Sequence, residues 1–369
     1  MGCCSSYEYP LLTLPHEIFN RRAYRLSVSE KILLQAELEK MLRLKVIRPS
    51  SSPYSSPIFL IPKKDGTARF VLDARFINKV IQGDQFPLPH IRDLFDRLKG
   101  YKVFSHLDLR SGYWQVNLRE GDRALTAFQT PEGLFEFCVM PFGVKTAPAA
   151  FQRLIQQVFA PVHGRGVLCY IDDIILYSMT DAEHFQLLRQ VFQLLNKAHL
   201  SLHPNKCLLF QSSIHLLGHV ISENGISVDP AKIDAMVNFP KPSNKSELSS
   251  FLGLTNYYHQ FVNGFAKLAA PLYHLTSSNV EWEWNGMVDD SFNSLKQALT
   301  QAPILQQPDY TRPFIIISDA SMLGVGAVLG QSEDFTYDTM DRTWSAVPEQ
   351  LRFVVISAHQ QNVIIVPLS

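Results

Sequence analysis

The sequence lacks the features that would mark a secreted, a membrane-spanning or a strongly basic protein. Its five cysteines form no C-x-x-C pair, so neither a zinc knuckle nor a disulfide framework is indicated, and reduced intracellular thiols are expected. No apolar run is long enough to span a membrane, and the N-terminus has no apolar signal-peptide core. Lysine plus arginine and aspartate plus glutamate both total 34, which argues against a strongly basic nucleic-acid binder but permits a locally positive groove.

What is present is the composition of a globular protein. The 369 residues are 46% hydrophobic, which suits roughly two or three packed domains. The first six residues, M-G-C-C-S-S, fit the N-myristoylation pattern at Gly2, with cysteines that palmitate could modify, although patterns this short also arise by chance. Residues 1–26 are expected to be irregular because Pro10 and Pro15 would interrupt any helix.

A stretch near the middle of the chain combines strand-forming residues with two adjacent acids. Residues 167–178 read V-L-C-Y-I-D-D-I-I-L-Y-S, in which apolar, β-prone runs flank Asp172 and Asp173. Because strands disfavour aspartate, we predict a hairpin whose tight turn carries both carboxylates out of the sheet. Two adjacent like charges need a compensating cation, usually a divalent ion. A solvated Asp-Asp turn is the alternative interpretation.

A third acid occurs upstream, at the end of another predicted strand. Residues 102–107 form that strand, Asp108 follows it, and the next turn presents Tyr113. An aspartate in this position is normally a cap or a turn former. If Asp108 instead meets Asp172 and Asp173, the three carboxylates suit Mg²⁺. Two such ions about 3.5–4 Å apart activate an attacking hydroxyl and hold the leaving oxygen of an in-line displacement.

Two further segments carry residues suited to a phosphorylated ligand. Asp65-Gly66 predicts a hairpin turn between two apolar runs of residues 58–75. The basic residues on or beside this turn are Lys63, Lys64, Arg69 and Arg75. A basic hairpin tip is usually solvated surface, but its other use is to hold phosphates. Residues 140–159 indicate a glycine turn followed by a helix, and Gly143 in that turn would let the backbone approach a ligand closely.

Strands and helices alternate around the central hairpin, which predicts an α+β fold of the split-βαβ kind. A capping box at Ser27 and Glu30 predicts the start of the first helix. Residues 243–275 indicate paired helices, and a new unit begins at Pro313.

Together these segments resemble the reverse transcriptase of gypsy-type LTR retrotransposons. The resemblance is carried by Y-I-D-D in its hairpin, L-D-L-R-S-G-Y-W-Q-V, M-P-F-G-V-K-T-A-P-A-A-F-Q, P-K-K-D-G-T-A-R-F and the thumb-like F-L-G-L-T-N-Y-Y-H-Q-F-V. It covers residues 24–330, with the motifs in the family's order, far beyond chance for any single one. The resemblance implies an RNA-directed DNA polymerase that extends a primer with dNTPs on an RNA or DNA template, using two Mg²⁺ ions, for which Mn²⁺ could substitute.

The same resemblance implies a right-hand polymerase fold of fingers, a palm with an antiparallel sheet, and a thumb. The segments it implies are an irregular arm (1–26), fingers and palm (27–240), thumb-like helices (241–275), a connector (276–312) and an incomplete ribonuclease H-like α/β segment with a divergent tail (313–369).

The family's site residues can be carried over by position. Asp108, Asp172 and Asp173 match its catalytic metal ligands. Tyr113 matches its sugar-discriminating aromatic residue, whose ring would collide with a 2′-hydroxyl. The residues that match its nucleotide contacts are Lys63 or Lys64, Arg69, Phe142 and Gly143. The residues that match its primer grip are Leu216, Leu217 and Gly218.

The resemblance decays near the C-terminus. Asp319 matches the first metal-binding carboxylate of the ribonuclease H domain that follows such polymerases, but the pattern is lost after about Gln331. A ribonuclease H site needs further acids, and the ~57 residues from Pro313 onward are fewer than such a domain requires. We therefore expect no cleavage of RNA strands, and we expect a piece of a polyprotein or a truncated copy.

Two other functions fit parts of the sequence. A decayed or domesticated copy would bind a primer–template without synthesis; Ala68 and Ala74, which replace bulkier family residues, and the neutral net charge favour it. An RNA-copying RNA polymerase also uses a palm with acidic turns, but Tyr113 argues against it.

The expected location is the cytoplasm, in a virus-like particle if the element is active, and the sequence does not indicate an oligomeric state.

Overall fold

The computed structural model describes residues 2, 4–62, 68–98, 100–262 and 264–301, and strand residues 315–321, 324–331, 337–338, 343–344, 352–353 and 364–367. Its α-helices are α1 (Val28–Arg43), α2 (Arg75–Val80), α3 (Ile91–Arg97), α4 (Ala147–Val158), α5 (Asp181–Lys197), α6 (Pro230–Val237), α7 (Lys245–Tyr257), α8 (Phe265–Thr276) and α9 (Gly286–Thr300).

Its β-strands are β1 (Cys4–Tyr9), β2 (Ile47–Pro49), β3 (Ile58–Pro62), β4 (Ala68–Leu72), β5 (Val103–Asp108), β6 (Val116–Leu118), β7 (Phe128–Thr130), β8 (Gly133–Phe137), β9 (Val167–Tyr170), β10 (Asp173–Ser178), β11 (Leu208–Gln211), β12 (Ser213–Leu216), β13 (His219–Ser222), β14 (Gly225–Val228), β15 (Ile315–Ser321), β16 (Gly324–Gln331), β17 (Tyr337–Asp338), β18 (Thr343–Trp344), β19 (Arg352–Phe353) and β20 (Ile364–Pro367). Within the described ranges, no helix is long and apolar enough to cross a membrane.

The chain forms two compact units, one of residues 1–90 with 103–211 and one of residues 91–102 with 212–369. In this division β12–β14 belong to the same compact unit as the helices that follow them, and the boundary expected between residues 240 and 241 stays a prediction.

The first unit is built around an antiparallel sheet with strand order β11-β5-β10-β9. Helices α4 and α5 pack against this sheet and bury apolar side chains such as Phe151 and Leu188. Beside it lie a three-stranded sheet, β2-β8-β7, and the antiparallel pair β3–β4, which confirms the predicted pairing of the two apolar runs; the turn predicted at Asp65-Gly66 lies outside the described residues. Helix α1 begins at the predicted capping box, in which the Ser27 side chain accepts from the Glu30 N–H and the Glu30 carboxylate accepts from the Ser27 N–H.

The N-terminal arm is not wholly irregular, so that prediction was wrong for residues 4–9. These residues form β1, which pairs in parallel with β6, and Tyr9 is only 2% exposed. The Leu11 N–H donates to Asp122 Oδ2 at 2.9 Å, and Gly2 packs so closely against Gln115 that a side chain would have no space. Prolines exclude a helix from the arm but do not exclude a strand, whose partner is far away in the sequence.

The second unit combines the antiparallel meander β12-β13-β14 with helices α6–α9. Its helices pack through aromatic contacts, including Phe251 on Phe292 with ring centroids 4.5 Å apart. A further sheet has the order β19-β16-β15-β20, in which β15 and β20 run parallel.

Candidate active site

Strand pairing brings the three predicted acids together. In the register of β5 with β10, Asp108 lies directly opposite Asp173, and Tyr170 of β9 lies opposite Asp173 on its other side. Directly opposed residues have Cβ atoms about 4.5–5.5 Å apart. Asp172 is the residue before Asp173, in the two-residue turn that joins β9 to β10. We call residues 170–173 the acidic turn. The predicted hairpin is present, but Asp173 belongs to the strand and only Asp172 lies in the turn.

The backbone of the acidic turn is strained and is held by a buried amide. Ile171 has φ of 52°, a left-handed conformation that is costly for a β-branched residue. The Ile171 N–H donates to Gln152 Oε1 at 2.6 Å, and Gln152 Nε2 donates to the Cys169 carbonyl at 3.0 Å. Gln152 projects from α4 and is fully buried. The Gln152 side chain therefore bridges Cys169 of β9 and Ile171 of the acidic turn. It holds Ile171 in a backbone conformation that a β-branched residue disfavours.

Asp172 carries an electrostatic penalty in this position. Its Oδ1 is buried and has no hydrogen-bond partner among the described residues. Burial, followed by the charges of Asp173 and Asp108, raises the pKa of the Asp172 carboxyl to about 6. A side chain at Gly112 would meet Phe151 at 2.8 Å and Asp172 Oδ1 at 3.1 Å, so only glycine allows this close approach. A cation nearby would stabilise the ionised Asp172 carboxylate.

The other two acids contact basic side chains. Asp108 Oδ2 lies 3.5 Å from Lys206 Nζ, and Asp173 Oδ1 lies 2.8 Å from His106 Nε2. In the part of the chain that the structure describes, no three acidic, histidine or cysteine side chains already form a metal cage. The donor set nevertheless fits a hard divalent ion, because it consists of clustered carboxylate oxygens and one of them is buried without a partner.

Tyr113 lies near Asp172 of the acidic turn, in a short 3₁₀ helix of residues 112–115. Its ring packs against Phe142 and Phe151, each with a centroid separation of 5.2 Å, and it is 8% exposed. Burial and the Asp172 charge raise the pKa of the Tyr113 hydroxyl. Tyr113 is thus both part of the core and next to Asp172, which suits the predicted floor of a nucleotide pocket.

Gly143 adopts a conformation that favours glycine, with φ of 96°. Its carbonyl accepts from Asn78 Nδ2 at 2.9 Å, and Asn78 Oδ1 accepts from the Lys145 N–H at 2.8 Å. A Cβ at Gly143 would lie 3.3 Å from the Leu72 carbonyl oxygen, so the loop packs closely on the end of β4.

The predicted phosphate contacts are described only in part. Arg69 lies on β4, opposite Ile61, with an exposed side chain. Lys63 and Lys64 lie outside the described residues. Arg75 instead forms an ion pair with buried Asp73 at 2.7 Å and lowers the pKa of that carboxyl to about 2.

The predicted primer-grip residues lie in the second unit. Leu216 ends β12, and Leu217 and Gly218 form the two-residue turn to β13. We call residues 216–219 the glycine turn. Asp319 lies in β15, opposite Gly326, and its side chain is outside the described part.

Two segments of the chain match models of known protein families. Residues 61–221 match the family model described as reverse transcriptase (RNA-dependent DNA polymerase), which spans β3 to β13 and includes the acidic turn. The chain contains a reverse transcriptase domain. Residues 284–343 match the RNase H-like domain found in reverse transcriptase. The predicted resemblance to an LTR retrotransposon reverse transcriptase is confirmed.

Relatives of this chain include two transposon polyproteins. The chain is 35% identical over 313 residues to the transposon Tf2-3 polyprotein of Schizosaccharomyces pombe, covering 85% of this chain and 24% of that protein. It is 36% identical over 334 residues to the retrovirus-related Pol polyprotein from transposon 412 of Drosophila melanogaster, covering 89% and 27%. The chain thus spans about a quarter of the length of these relatives.

Solved structures confirm the predicted α+β polymerase fold. The foamy viral protease-reverse transcriptase dRH in complex with ds DNA is similar with a TM-score of 0.83 and 26% identity, over 89% of this chain and 58% of that one. The foamy viral protease-reverse transcriptase in complex with dsDNA also gives a TM-score of 0.83, with 24% identity, over 97% and 73%.

Several residues around the reverse transcriptase site were not singled out from the sequence. They are Asn78, His106, Gln152 and Lys206. A signal existed for two of them. His106 precedes Asp108 by two positions on a strand and therefore shares its face, and Gln152 is an amide on the apolar face of α4. The others depend on contacts between distant segments.

Proposed function

We propose that this chain is an RNA-directed DNA polymerase of a gypsy-type LTR retrotransposon, which extends a primer with dNTPs. The observation that carries the proposal is the register that sets Asp108 opposite Asp173 and leaves the neighbouring Asp172 with a buried Oδ1 and a raised pKa. The reverse transcriptase family match and the transposon relatives support it.

Asp108, Asp172 and Asp173 are the residues that would hold two Mg²⁺ ions, with Mn²⁺ as a substitute. When bound, such ions lower the barrier to in-line phosphoryl transfer by stabilising charge on the attacking and leaving oxygens. The protein's part is to hold the carboxylates in place. His106 fixes one oxygen of Asp173, Lys206 lies beside Asp108, and Gln152 fixes the backbone that carries Asp172.

The neighbouring residues would bind the incoming nucleotide. We assign the triphosphate to Arg69 and to Lys63 or Lys64, since guanidinium and ammonium groups bind phosphate oxygens. Phe142 and Gly143 would border the nucleotide and the template. Tyr113 would lie beneath the sugar and exclude a 2′-hydroxyl, because Phe142 and Phe151 pack against its ring and leave it little freedom to move.

The proposed partner is an RNA or DNA template paired with a primer. Solved relatives were captured with dsDNA and with an RNA/DNA hybrid. The proposal does not extend to ribonuclease H cleavage, because Asp319 is the one acid of such a site that the sequence pattern assigns. The cytoplasm, or a virus-like particle, remains the proposed location.

Primer extension tests the polymerase proposal directly. A primed RNA template, dNTPs and Mg²⁺ should give extended DNA with the wild-type protein and far less with Asp172→Asn. Extension should stop when EDTA removes the metal and return when Mg²⁺ is added in excess. Primer–template binding without any incorporation would contradict the proposal and favour a binding protein.

Ribonucleotide discrimination tests the role of Tyr113. Replacing Tyr113 with alanine should raise the relative rate of rNTP incorporation, because a methyl group leaves room for the 2′-hydroxyl. The ratio of kcat/KM for dNTP to that for rNTP should fall at least about tenfold, which corresponds to about 1.4 kcal/mol. An unchanged ratio would remove Tyr113 from this role.

A further inference from the structure

Strand β11 forms one edge of the central sheet of the first unit, and its pairing with β5 is interrupted by a bulge. Leu208 lies opposite His106, whereas Gln211 lies opposite Phe104, so three steps along β11 match two steps along β5. Phe210 lies within this irregularity and has φ of 51°, a left-handed conformation. Bulges are common beside active sites, where they change the direction in which a side chain points.

The bulge decides which residue of the chain faces Asp108. Continued by two residues, the register that begins at Leu208 sets Lys206 opposite Asp108. Without the bulge, the register of Gln211 would instead set Cys207 opposite Asp108. In the structure Lys206 Nζ lies 3.5 Å from Asp108 Oδ2. The bulge therefore places a positive charge beside one of the proposed metal ligands.

A serine on the neighbouring strand holds the bulge. The Phe210 N–H donates to Ser105 Oγ at 3.1 Å. A bulge leaves its extra residue without a partner in the strand ladder, so a side chain has to supply one. Ser105 is fully buried on β5, three residues before Asp108. A hydroxyl group of β5 thus fixes a backbone amide of β11.

A buried histidine on α5 orients that serine. His184 is fully buried, and each of its ring nitrogens lies beside a serine hydroxyl. Its Nε2 lies 2.7 Å from Ser105 Oγ, and its Nδ1 lies 2.9 Å from Ser178 Oγ. The ring also packs edge-on against the ring of Phe210, with centroids 5.0 Å apart. His184 therefore supports the bulge both through its ring and through Ser105.

One protonation state satisfies every group in this chain of hydrogen bonds. Ser178 Oγ donates to the Thr180 carbonyl at 3.0 Å, so it accepts from the Nδ1–H of His184. Nε2 then carries no proton and accepts from the Ser105 hydroxyl, whose oxygen accepts from the Phe210 N–H. Burial lowers the pKa of the His184 imidazole, which favours this neutral form. The imidazole thus fixes the direction of the Ser105 hydroxyl.

We propose that His184 and Ser105 are positioning residues, which hold the β11 bulge and thereby keep Lys206 beside Asp108. Both act through the register of β11. The position of the Lys206 charge matters because electrostatic interactions depend on distance, and a misplacement of about 1 Å near reacting groups can cost about a hundredfold in rate. The inference rests on the proposed polymerase function, which gives the charge beside Asp108 its purpose.

Removing one hydroxyl on either side of His184 separates positioning from general stability. Ser105→Ala frees the Phe210 amide, whereas the matched control Ser178→Ala leaves the bond between His184 and Ser105 in place. We expect kcat for primer extension, measured well below the Tm of each variant, to fall about tenfold in Ser105→Ala and less than about twofold in Ser178→Ala. Hydrogen exchange at residues 208–211 should become faster only in Ser105→Ala.

A double-mutant cycle tests whether the effect passes through Lys206. Lys206→Ala alone should lower kcat about tenfold, and the double variant Ser105→Ala/Lys206→Ala should lower it no further. Losses that multiply to about a hundredfold would show two independent effects and would overturn the positioning role. An unchanged kcat in Lys206→Ala would overturn it as well.

Two substitutions of His184 test which ring nitrogen matters. The amide of His184→Gln reaches the position of Nε2 beside Ser105, whereas the shorter amide of His184→Asn reaches only that of Nδ1 beside Ser178. Primer extension should therefore be closer to wild type in His184→Gln than in His184→Asn. The opposite order, or an equal loss in both, would contradict the positioning role.

The outcomes separate this inference from the polymerase proposal. If the wild-type protein extends primers and Ser105→Ala extends them equally well, the positioning role is overturned and the polymerase stands. If the wild-type protein extends no primer while exchange at residues 208–211 becomes faster only in Ser105→Ala, the polymerase is overturned and the hold of Ser105 on the bulge stands. Unchanged exchange in Ser105→Ala would overturn the inference whatever the activity.

Discussion

The acidic turn and the glycine turn are built alike, but they differ in what they leave unsatisfied. Each is a two-residue hairpin turn with a branched apolar residue at positive φ, Ile171 in one and Leu217 in the other. Helix side chains hold each turn through backbone hydrogen bonds. In the glycine turn both carbonyls are satisfied, by the Tyr257 and Tyr258 hydroxyls. In the acidic turn, Asp172 Oδ1 is buried without a hydrogen-bond partner among the described residues.

The difference shows that one backbone device can serve two purposes. The glycine turn uses its helix contacts to fix a shape, and its cost is confined to the backbone. The acidic turn uses a similar contact to hold a carboxylate where neighbouring charges oppose its ionisation. Such a cost is retained when function requires it, and a cation would relieve it.

The largest expected effect comes from neutralising the acid in the acidic turn. Asp172→Asn should lower the polymerisation rate about 10²–10³-fold, because the change removes a proposed metal ligand. The same change should stabilise the metal-free protein by about 1–2 kcal/mol. A neutral amide avoids the cost of burying a charge and the repulsion from the charges of Asp173 and Asp108. Urea denaturation at pH 7.5 in EDTA measures this.

Asp173→Asn is the matched control for that prediction. It should also lose activity, but it should not gain stability, because Asp173 has a partner in His106. Equal destabilisation of both variants would contradict the contrast drawn between the two turns.

The second expected effect comes from removing the amide that holds the acidic turn. Gln152→Ala should lower kcat about 10–100-fold and destabilise the protein by about 1–3 kcal/mol, since it leaves the Ile171 N–H and the Cys169 carbonyl without their buried partner. Gln157→Ala, an exposed position on α4, is the control for both measurements. Normal kcat in Gln152→Ala would show that the acidic turn holds its own conformation.

A third, smaller effect distinguishes an unsatisfied buried acid from a paired one. Asp73 is as buried as the apolar core residues, at 2% exposed. Unlike Asp172 Oδ1, its carboxylate accepts hydrogen bonds from Arg75 and Tyr24, and its pKa is lowered to about 2. A lowered folded-state pKa stabilises the fold above the unfolded value of about 4, and that contribution is lost as pH falls towards 2.

Asp73→Asn should therefore cost about 1–2 kcal/mol at pH 7, with the gap to wild type closing between about pH 4 and pH 2. Thermal unfolding across that range measures the gap. A gap that widened on acidification would mean that the sign assigned to Asp73 is wrong.

The smallest expected effect concerns backbone strain in the glycine turn. Leu217→Asn should stabilise the protein by about 0.5 kcal/mol, because asparagine adopts the left-handed conformation more readily than leucine does. Leu208→Asn, at an exposed position on β11 outside the left-handed region, should bring no such gain. Denaturant midpoints compare the two, and a loss of stability in Leu217→Asn would show that the Leu217 side chain matters more than its backbone.

Local patterns predicted the elements that carry the site. The β-prone runs around Asp172 and Asp173, the turn signal Asp65-Gly66 and the capping box at Ser27 each act over a few residues, so the sequence states them directly. The strand at residues 4–9 was missed for the opposite reason. Its stability depends on pairing with β6, more than a hundred residues away, and nothing local indicates that partner.

The same distinction applies to the site. The sequence alone determined which acids could bind a metal, where the hairpins and helices begin, and which family the motifs resemble, because these follow from residue type and short spacing. Only the tertiary structure decided that Asp173 lies opposite Asp108, that Gln152 holds the acidic turn, and that two tyrosines hold the glycine turn. Register and side-chain contacts join segments far apart in the chain, and they are fixed only when those segments pack together.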